Sequence, residues 1–108
     1  MSYNILTIPP FDRQLKRLAK KYPSIKSDIT GLARQIMKDP ATGKPLGKDC
    51  YKIRMAIKSK GKGKSGGARV ITHFVVAGGI IYMLTIYDKS DKEDISDKEL
   101  EELLKFIE

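Results

Sequence analysis

"YKIRMAIKSKGKGKSGGARVI", residues 51–71, is where this chain changes its period. Tyr51, Ile53, Met55 and Ile57 alternate with Lys52, Arg54, Ala56 and Lys58. An apolar side chain at every second position marks a half-buried strand. A glycine–lysine segment follows, and then Ala68 to Val76 forms a second run of β-formers. Gly78-Gly79 is a hairpin-turn signal, and Ile80 to Tyr87 is a third run. Short links between three such runs predict an antiparallel meander.

Upstream, the spacing is helical. Tyr3 to Ile8 reads as a first strand, ended by Pro9-Pro10. Asp12 is placed to cap a helix on which Phe11, Leu15, Leu18 and Tyr22 recur, and Pro23 stops it. Ser24 is placed to cap a second, with Ile25, Ile29, Leu32, Ala33 and Ile36 on one face; Asp39-Pro40 closes it. "ATGKPLGKD", residues 41–49, reads as a loop. Downstream, Ser96 and Glu99 form a capping box for a last helix carrying Leu100, Leu103, Leu104 and Ile107. The predicted class is α+β in the order β-α-α-β-β-β-α, as one domain over residues 1–108. The sheet is mainly antiparallel. The helical hairpin and the C-terminal helix cover one face and leave the other for function.

Charge points to the partner. The chain carries net +8, yet residues 88–108 hold 9 acids and 4 bases. Residues 1–87 therefore hold 17 bases against 4 acids. So basic a body suggests a polyanion, most often nucleic acid; solubility alone is the bland alternative. One cysteine, Cys50, permits no internal disulfide and suits a reducing compartment. With a single histidine it makes no common zinc site. The first residues lack a signal-peptide pattern, and the longest apolar run, Phe74 to Ile86, is too short to span a bilayer. A cytoplasmic protein without membrane contact is expected.

Gly63-Lys64-Ser65 looks like the end of a nucleotide phosphate loop, but that loop needs a glycine where Lys58 stands. A strand follows rather than a helix, so no helix N-terminus could hold phosphate. Lys58, Lys60, Lys62 and Lys64 instead fall at every second position. They make either a soluble hairpin loop or a mobile basic arm that follows a phosphate backbone.

Alternation places Lys52 and Arg54 on one strand face, Arg69 and His73 on the next, and Met83, Thr85 and Tyr87 on the third, with Lys89 continuing that parity. Aligned, these gather Lys52, Arg54, Arg69, His73, Tyr87 and Lys89 into a cationic patch without acids. No carboxylate pair is placed to hold magnesium, and no nucleophile–histidine pair stands out. Such a patch suits phosphate chemistry on RNA, whose 2′-hydroxyl is its own nucleophile, with cations stabilising charge on phosphorus oxygens. His73 is the acid–base residue type at neutral pH, although a lone strand histidine is more often structural.

"YKIRMAIKSKGKGKSGGARVI" followed by "YMLTIYDKSDKEDIS", residues 82–96, resembles the RelE/ParE superfamily of bacterial toxins, and within it the HigB-like branch. The resemblance is specific from Asp49 to about Ile95. It implies a microbial ribonuclease-like α+β fold and messenger-RNA cleavage in the ribosomal A site, using the RNA 2′-hydroxyl without metal or other cofactor. It also implies a cognate antitoxin of HigA or RelB type. By position it makes Arg69 the phosphate-stabilising arginine and Lys52 and Arg54 a phosphate-binding and proton-transfer pair. Lys89 becomes a transition-state or leaving-group contact, and the glycine–lysine segment an arm that meets RNA or the ribosome. The tyrosine that RelE carries near the start of its last helix is Ile95 here, which leaves the general base unassigned. Tyr87 and His73 are candidates to stack on a base or move a proton. Two other functions remain open: gyrase inhibition by protein contact, as in ParE relatives, and RNA binding without cleavage.

Overall fold

A computed structural model describes residues 3–107. Strand β1 (Asn4–Thr7) leads into helix α1 (Pro9–Lys21), which turns back as α2 (Ile25–Lys38). Strands β2 (Lys44–Gly47), β3 (Cys50–Met55), β4 (Ala68–Val75) and β5 (Ile80–Asp88) follow, and α3 (Asp97–Leu104) closes the chain. The sheet order is β1-β5-β4-β3-β2. The β1–β5 pairing is parallel and the other three are antiparallel. The expected α+β class and the antiparallel meander are therefore present.

Four local readings need correction. Helix α1 begins at Pro9, with Ile8 at the cap and no side-chain cap bond. Proline fits a first helical turn because its missing N–H would have no partner there. Asp12 consequently lies inside the first turn, where its charge favours the helix dipole. Ser24 does occupy the α2 cap position but makes no cap bond; its hydroxyl donates to Asp28 Oδ2 at 2.8 Å. The stretch read as a loop contains β2, an edge strand that tolerates Pro45 because one side of it needs no ladder partner. A register shift opposite Ile71 and Thr72 leaves Leu84 unpaired. Thr85 pairs with Ile71 and Met83 with Thr72, so Met83 leaves the face of Thr85 and Tyr87 that simple alternation assigns it.

The helical hairpin packs on the sheet face of Ile53, Val70 and Ile86, where Phe11, Leu18, Ile25, Leu32 and Ile36 are buried. The last helix does not join it. Helix α3 lies against β5 on the opposite face, forming a groove with Thr85 through Lys98, Glu102, Leu103 and Phe106. Ile71 explains the need: it shares that face with Lys52 and Thr85, and it is fully buried. An apolar side chain there requires cover, and Leu100 (2% exposed) enters the core with Leu103, Leu104 and Ile107 half-buried around it. The expected capping box is formed, since Ser96 Oγ accepts from Glu99 N at 3.1 Å. Beyond the end of β1, the free edge of β5 is satisfied by Gln14, whose Oε1 accepts from Ile86 N at 3.2 Å. Among the described residues no helix is long and apolar enough to cross a membrane.

Candidate functional site

The face expected to carry function is thus not open but reduced to a cleft of about 470 Å³ at one end of the sheet. Lys52 and Arg54 from β3, Arg69 from β4 and Lys89 just after β5 all line it. Strand register explains the convergence, because Arg54 sits directly opposite Arg69, which sits opposite Tyr87. Like charges opposite one another on a sheet destabilise it. Two arginines held in that relation make a candidate anion site.

Arg69 is the most constrained of the set. It is 4% exposed, yet it reaches the cleft floor. Its Nη1 donates to the carbonyls of Lys64 (3.0 Å) and Ala68 (3.1 Å), and its Nη2 to that of Ser65 (3.1 Å). Three of the five guanidinium donors are so used, leaving two for a ligand. The glycine–lysine segment builds this cradle. It is a short 3-10 turn over Lys58–Lys60 followed by tight turns, with Gly61 and Gly63 at positive φ (73° and 64°). Gly67 passes so close to β3 that a Cβ would lie 2.1 Å from the Met55 carbonyl oxygen, and its own carbonyl accepts from Lys89 N at 3.1 Å.

The segment is therefore no extended arm, and its lysines divide. Lys58, Lys62 and Lys64 are exposed. Lys60 is withdrawn: its Nζ lies 2.6 Å from Asp88 Oδ1 and 2.7 Å from Ser90 Oγ. Tyr22 donates its hydroxyl to Asp88 Oδ2 at 2.6 Å. Burial pushes the Asp88 carboxyl up, but the bonds from Lys60, Tyr22 and the Ser90 N–H outweigh it and hold the group well below the usual carboxylate range. Lys60 thus pins the loop to the core and offers no charge to a polyanion.

Two carboxylates correct the picture of an acid-free patch. Glu93 and Asp94, on the link from β5 to α3, also line the cleft. Asp94 Oδ1 accepts from Ile95 N at 2.8 Å and lies 3.2 Å from Lys52 Nζ. The backbone bond, then the lysine, lower its pKa. With Lys44, which β2 brings in beside Gly43, the cleft holds five cations against two acids. Lys44 was hidden by reading β2 as a loop; proline beside a Gly-bounded apolar residue, an edge-strand pattern, was the available signal. Nothing in the local sequence marks Glu93 and Asp94, since only the position of α3 folds them over the cleft.

Tyr87 and His73 do not line the cleft. Tyr87 is buried beside Arg69 with its hydroxyl unpartnered, and the Lys92 ammonium lies 5.5 Å over its ring. Burial, and then the nearby Asp94 charge, push its pKa up to about 12, so it stays protonated at neutral pH. Its ring is not a platform open to a base. His73 lies four residues along β4 from Arg69, about 13 Å away, opposite Cys50 and Tyr82. Burial lowers its pKa, and it plays the part of a half-buried sheet residue.

Comparison with known proteins gives this geometry its family. The family model for the RelE toxin of the RelE/RelB toxin–antitoxin system matches residues 11–107. Among solved structures, the chain is similar to a double arginine-to-alanine mutant of E. coli toxin RelE in the free state. The TM-score is 0.63 at 17% identity, with 100% of both chains covered. It is also similar to the isolated E. coli RelE toxin, with a TM-score of 0.56 at 17% identity, covering 95% of this chain and 97% of that one. At such identity the structural likeness carries the fold, and the family match carries the membership. This chain belongs to the RelE toxin family, the toxin side of a toxin–antitoxin system whose partner is an antitoxin.

Proposed function

We propose that this toxin is a ribosome-dependent messenger-RNA endonuclease that uses the RNA 2′-hydroxyl and needs no metal. The observation that carries the reading is the convergence of Lys52, Arg54, Arg69 and Lys89 on one cleft, with the Arg69 guanidinium held in place by three backbone carbonyls. A preorganised cation meets developing charge without reorganising at the moment of reaction.

In this mechanism the 2′-oxygen attacks the adjacent phosphorus and the bond to the 5′-oxygen breaks. The products are a 2′,3′-cyclic phosphate and a 5′-hydroxyl. Arg69 holds the scissile phosphate with its two remaining donors, and Arg54 binds beside it. The 2′-hydroxyl proton passes to Lys52, since a guanidinium stays protonated. To act as base Lys52 must part from Asp94 and react in its neutral form. Lys89, as an ammonium, gives the leaving 5′-oxygen its proton. Lys58, Lys62 and Lys64 add exposed charge beside the cleft for RNA or the ribosome, in keeping with the HigB-like branch. The whole chain, residues 1–108, acts as one toxin domain in the cytoplasm, where translating ribosomes are.

Primer extension on a defined message in a cell-free translation reaction tests the reading, comparing wild type with Arg69→Ala, with and without ribosomes. In-frame cuts that need both ribosomes and Arg69 are expected. A folded wild-type protein that makes no cuts would overturn it.

A further inference from the structure

The Tyr87 hydroxyl is buried beside the cleft and has no hydrogen-bond partner among the described residues. The phenol stays protonated at neutral pH, so it has a proton to give. A buried donor that gives to nothing costs stability, and a phenylalanine would fill the same space without that cost.

The polar groups around Tyr87 divide by chemistry. Arg69, opposite it across the ladder, and Lys92, whose ammonium lies 5.5 Å over the ring, carry donors only. Two carboxylates are close enough for their charges to act on the phenol, Asp94 and then Glu99. Glu99 is already used: its Oε1 accepts from Ser96 N and Ser96 Oγ in the capping box, and its Oε2 pairs with Lys92. Asp94 is bonded through Oδ1 alone, to Ile95 N and to Lys52, and among the described residues its Oδ2 has no partner. Its side chain is 64% exposed, so no packing holds it on Lys52. Tyr87 stands at the end of β5, and Asp94 lies on the link of residues 89–96 that runs from β5 to α3.

An incoming phosphate forces a choice on this arrangement. It competes with Asp94 for Lys52, and like charge drives the carboxylate away. The displaced carboxylate needs a donor, and the unpartnered donor beside it is the Tyr87 hydroxyl.

We propose that Tyr87 is a positioning residue: its hydroxyl takes up Asp94 when an RNA phosphate enters the cleft, and so releases Lys52 for its work on the 2′-hydroxyl. Tyr87 touches neither the substrate nor the reacting atoms. The bond belongs to the occupied cleft, which explains why the free protein leaves the hydroxyl orphaned. A hydrogen bond to a charged acceptor is strong, so it offsets part of the cost of unmaking the ion pair. The inference rests on the proposed function for the role of Lys52.

The test is a double-mutant cycle. Tyr87→Phe keeps the ring and removes the hydroxyl. Asp94→Ala removes the carboxylate and leaves the hydroxyl nothing to take up. Wild type, both single variants and the double variant are titrated with an RNA hexamer methylated at every 2′-oxygen, so binding is read without cleavage. Tyr87→Phe is expected to weaken hexamer binding about tenfold in the wild-type background and less than twofold in the Asp94→Ala background. The thermal midpoint of free Tyr87→Phe should equal or exceed the wild-type value, because no orphaned hydroxyl remains. Single-turnover cutting of ribosome-bound message should show the same dependence on Asp94. Equal loss in both backgrounds would overturn the inference, since that is a structural effect on the cleft and not a hand-over of Asp94. Unchanged binding in both would overturn it too, and message cutting by wild type would then leave the nuclease reading in place. Coupling of Tyr87 to Asp94 without any message cutting by wild type would sink the nuclease reading and keep Tyr87 as the group that clears Lys52 for a phosphate. A wild-type protein that binds no hexamer would overturn both.

Discussion

Arg69 holds the glycine–lysine segment with three of its donors and lines the cleft at the same time. Its carbonyl contacts need a planar fork of donors, which lysine lacks. Arg69→Lys should therefore cut single-turnover cleavage by about 10²-fold or more, close to the loss from Arg69→Ala. Near-wild-type cleavage by the lysine variant would show that charge alone suffices. Asp94 acts in the other direction, since it is the anion nearest Lys52 in the free cleft. The pair is unequally exposed, with the Lys52 side chain at 18% and that of Asp94 at 64%, so the contact is worth at most about 1 kcal/mol. Asp94→Asn should tighten binding of a 2′-O-methyl RNA hexamer, which cannot be cleaved, by up to about fivefold, read by fluorescence anisotropy. At this scale the sequence shows which residues are cationic. It does not show that Lys60 is spent on Asp88, because the two are 28 positions apart.

Strand β2 and helix α3 shape the cleft as elements, and each hangs on a few atoms. At Gly43 φ is 109°, and a Cβ would lie 2.6 Å from the Lys52 carbonyl oxygen. Gly43→Ala must push β2 off β3 and carry Lys44 out of the cleft. A loss above about 1 kcal/mol in urea unfolding is expected, together with weaker hexamer binding. Helix α3 is anchored by Leu100, 2% exposed. Leu100→Ala should cost about 2–5 kcal/mol, and removing residues 97–108 should unfold the protein; a stable, well-folded truncation would refute that anchoring. The capping box and the leucine spacing made α3 legible as a helix. Its side of the sheet was not legible, because amphipathic spacing gives the apolar face of a helix and not which sheet face needs it.

For the molecule as a whole, stability against pH follows from groups held away from their ordinary pKa values. Asp88 is depressed, so its contribution is present above the unfolded value and is lost as pH falls below about 4. His73 is lowered by burial, which begins a smaller loss as pH falls below about 6.5. Burial pushes the Cys50 thiol up to about 11 and the Tyr87 phenol up to about 12. Both groups stabilise the fold in neutral form. Their contributions are full below about 8.5 and about 10 and are lost as pH rises through the folded values. Urea unfolding across pH should show a plateau between about 7 and 8.5. Asp88→Asn should flatten the steep acid limb. An unchanged acid limb would mean that Asp88 is not the group that titrates there.

Local pattern alone determined most elements of this protein, its basic character and four of the five cations of its cleft. Each of those depends on neighbours in the chain: period two for strands, helical spacing and caps for helices, proline and glycine for ends. Tertiary structure decided what distant segments do to one another. The bulge at Leu84 reset one strand face, and α3 crossed to the side of Ile71 and closed most of it. Glu93 and Asp94 were thereby brought over the cleft, while the glycine–lysine segment folded back to hold Arg69. The physical reason is common to all of these. Burial and charge pairing act across space, and a chain records only the groups available for them.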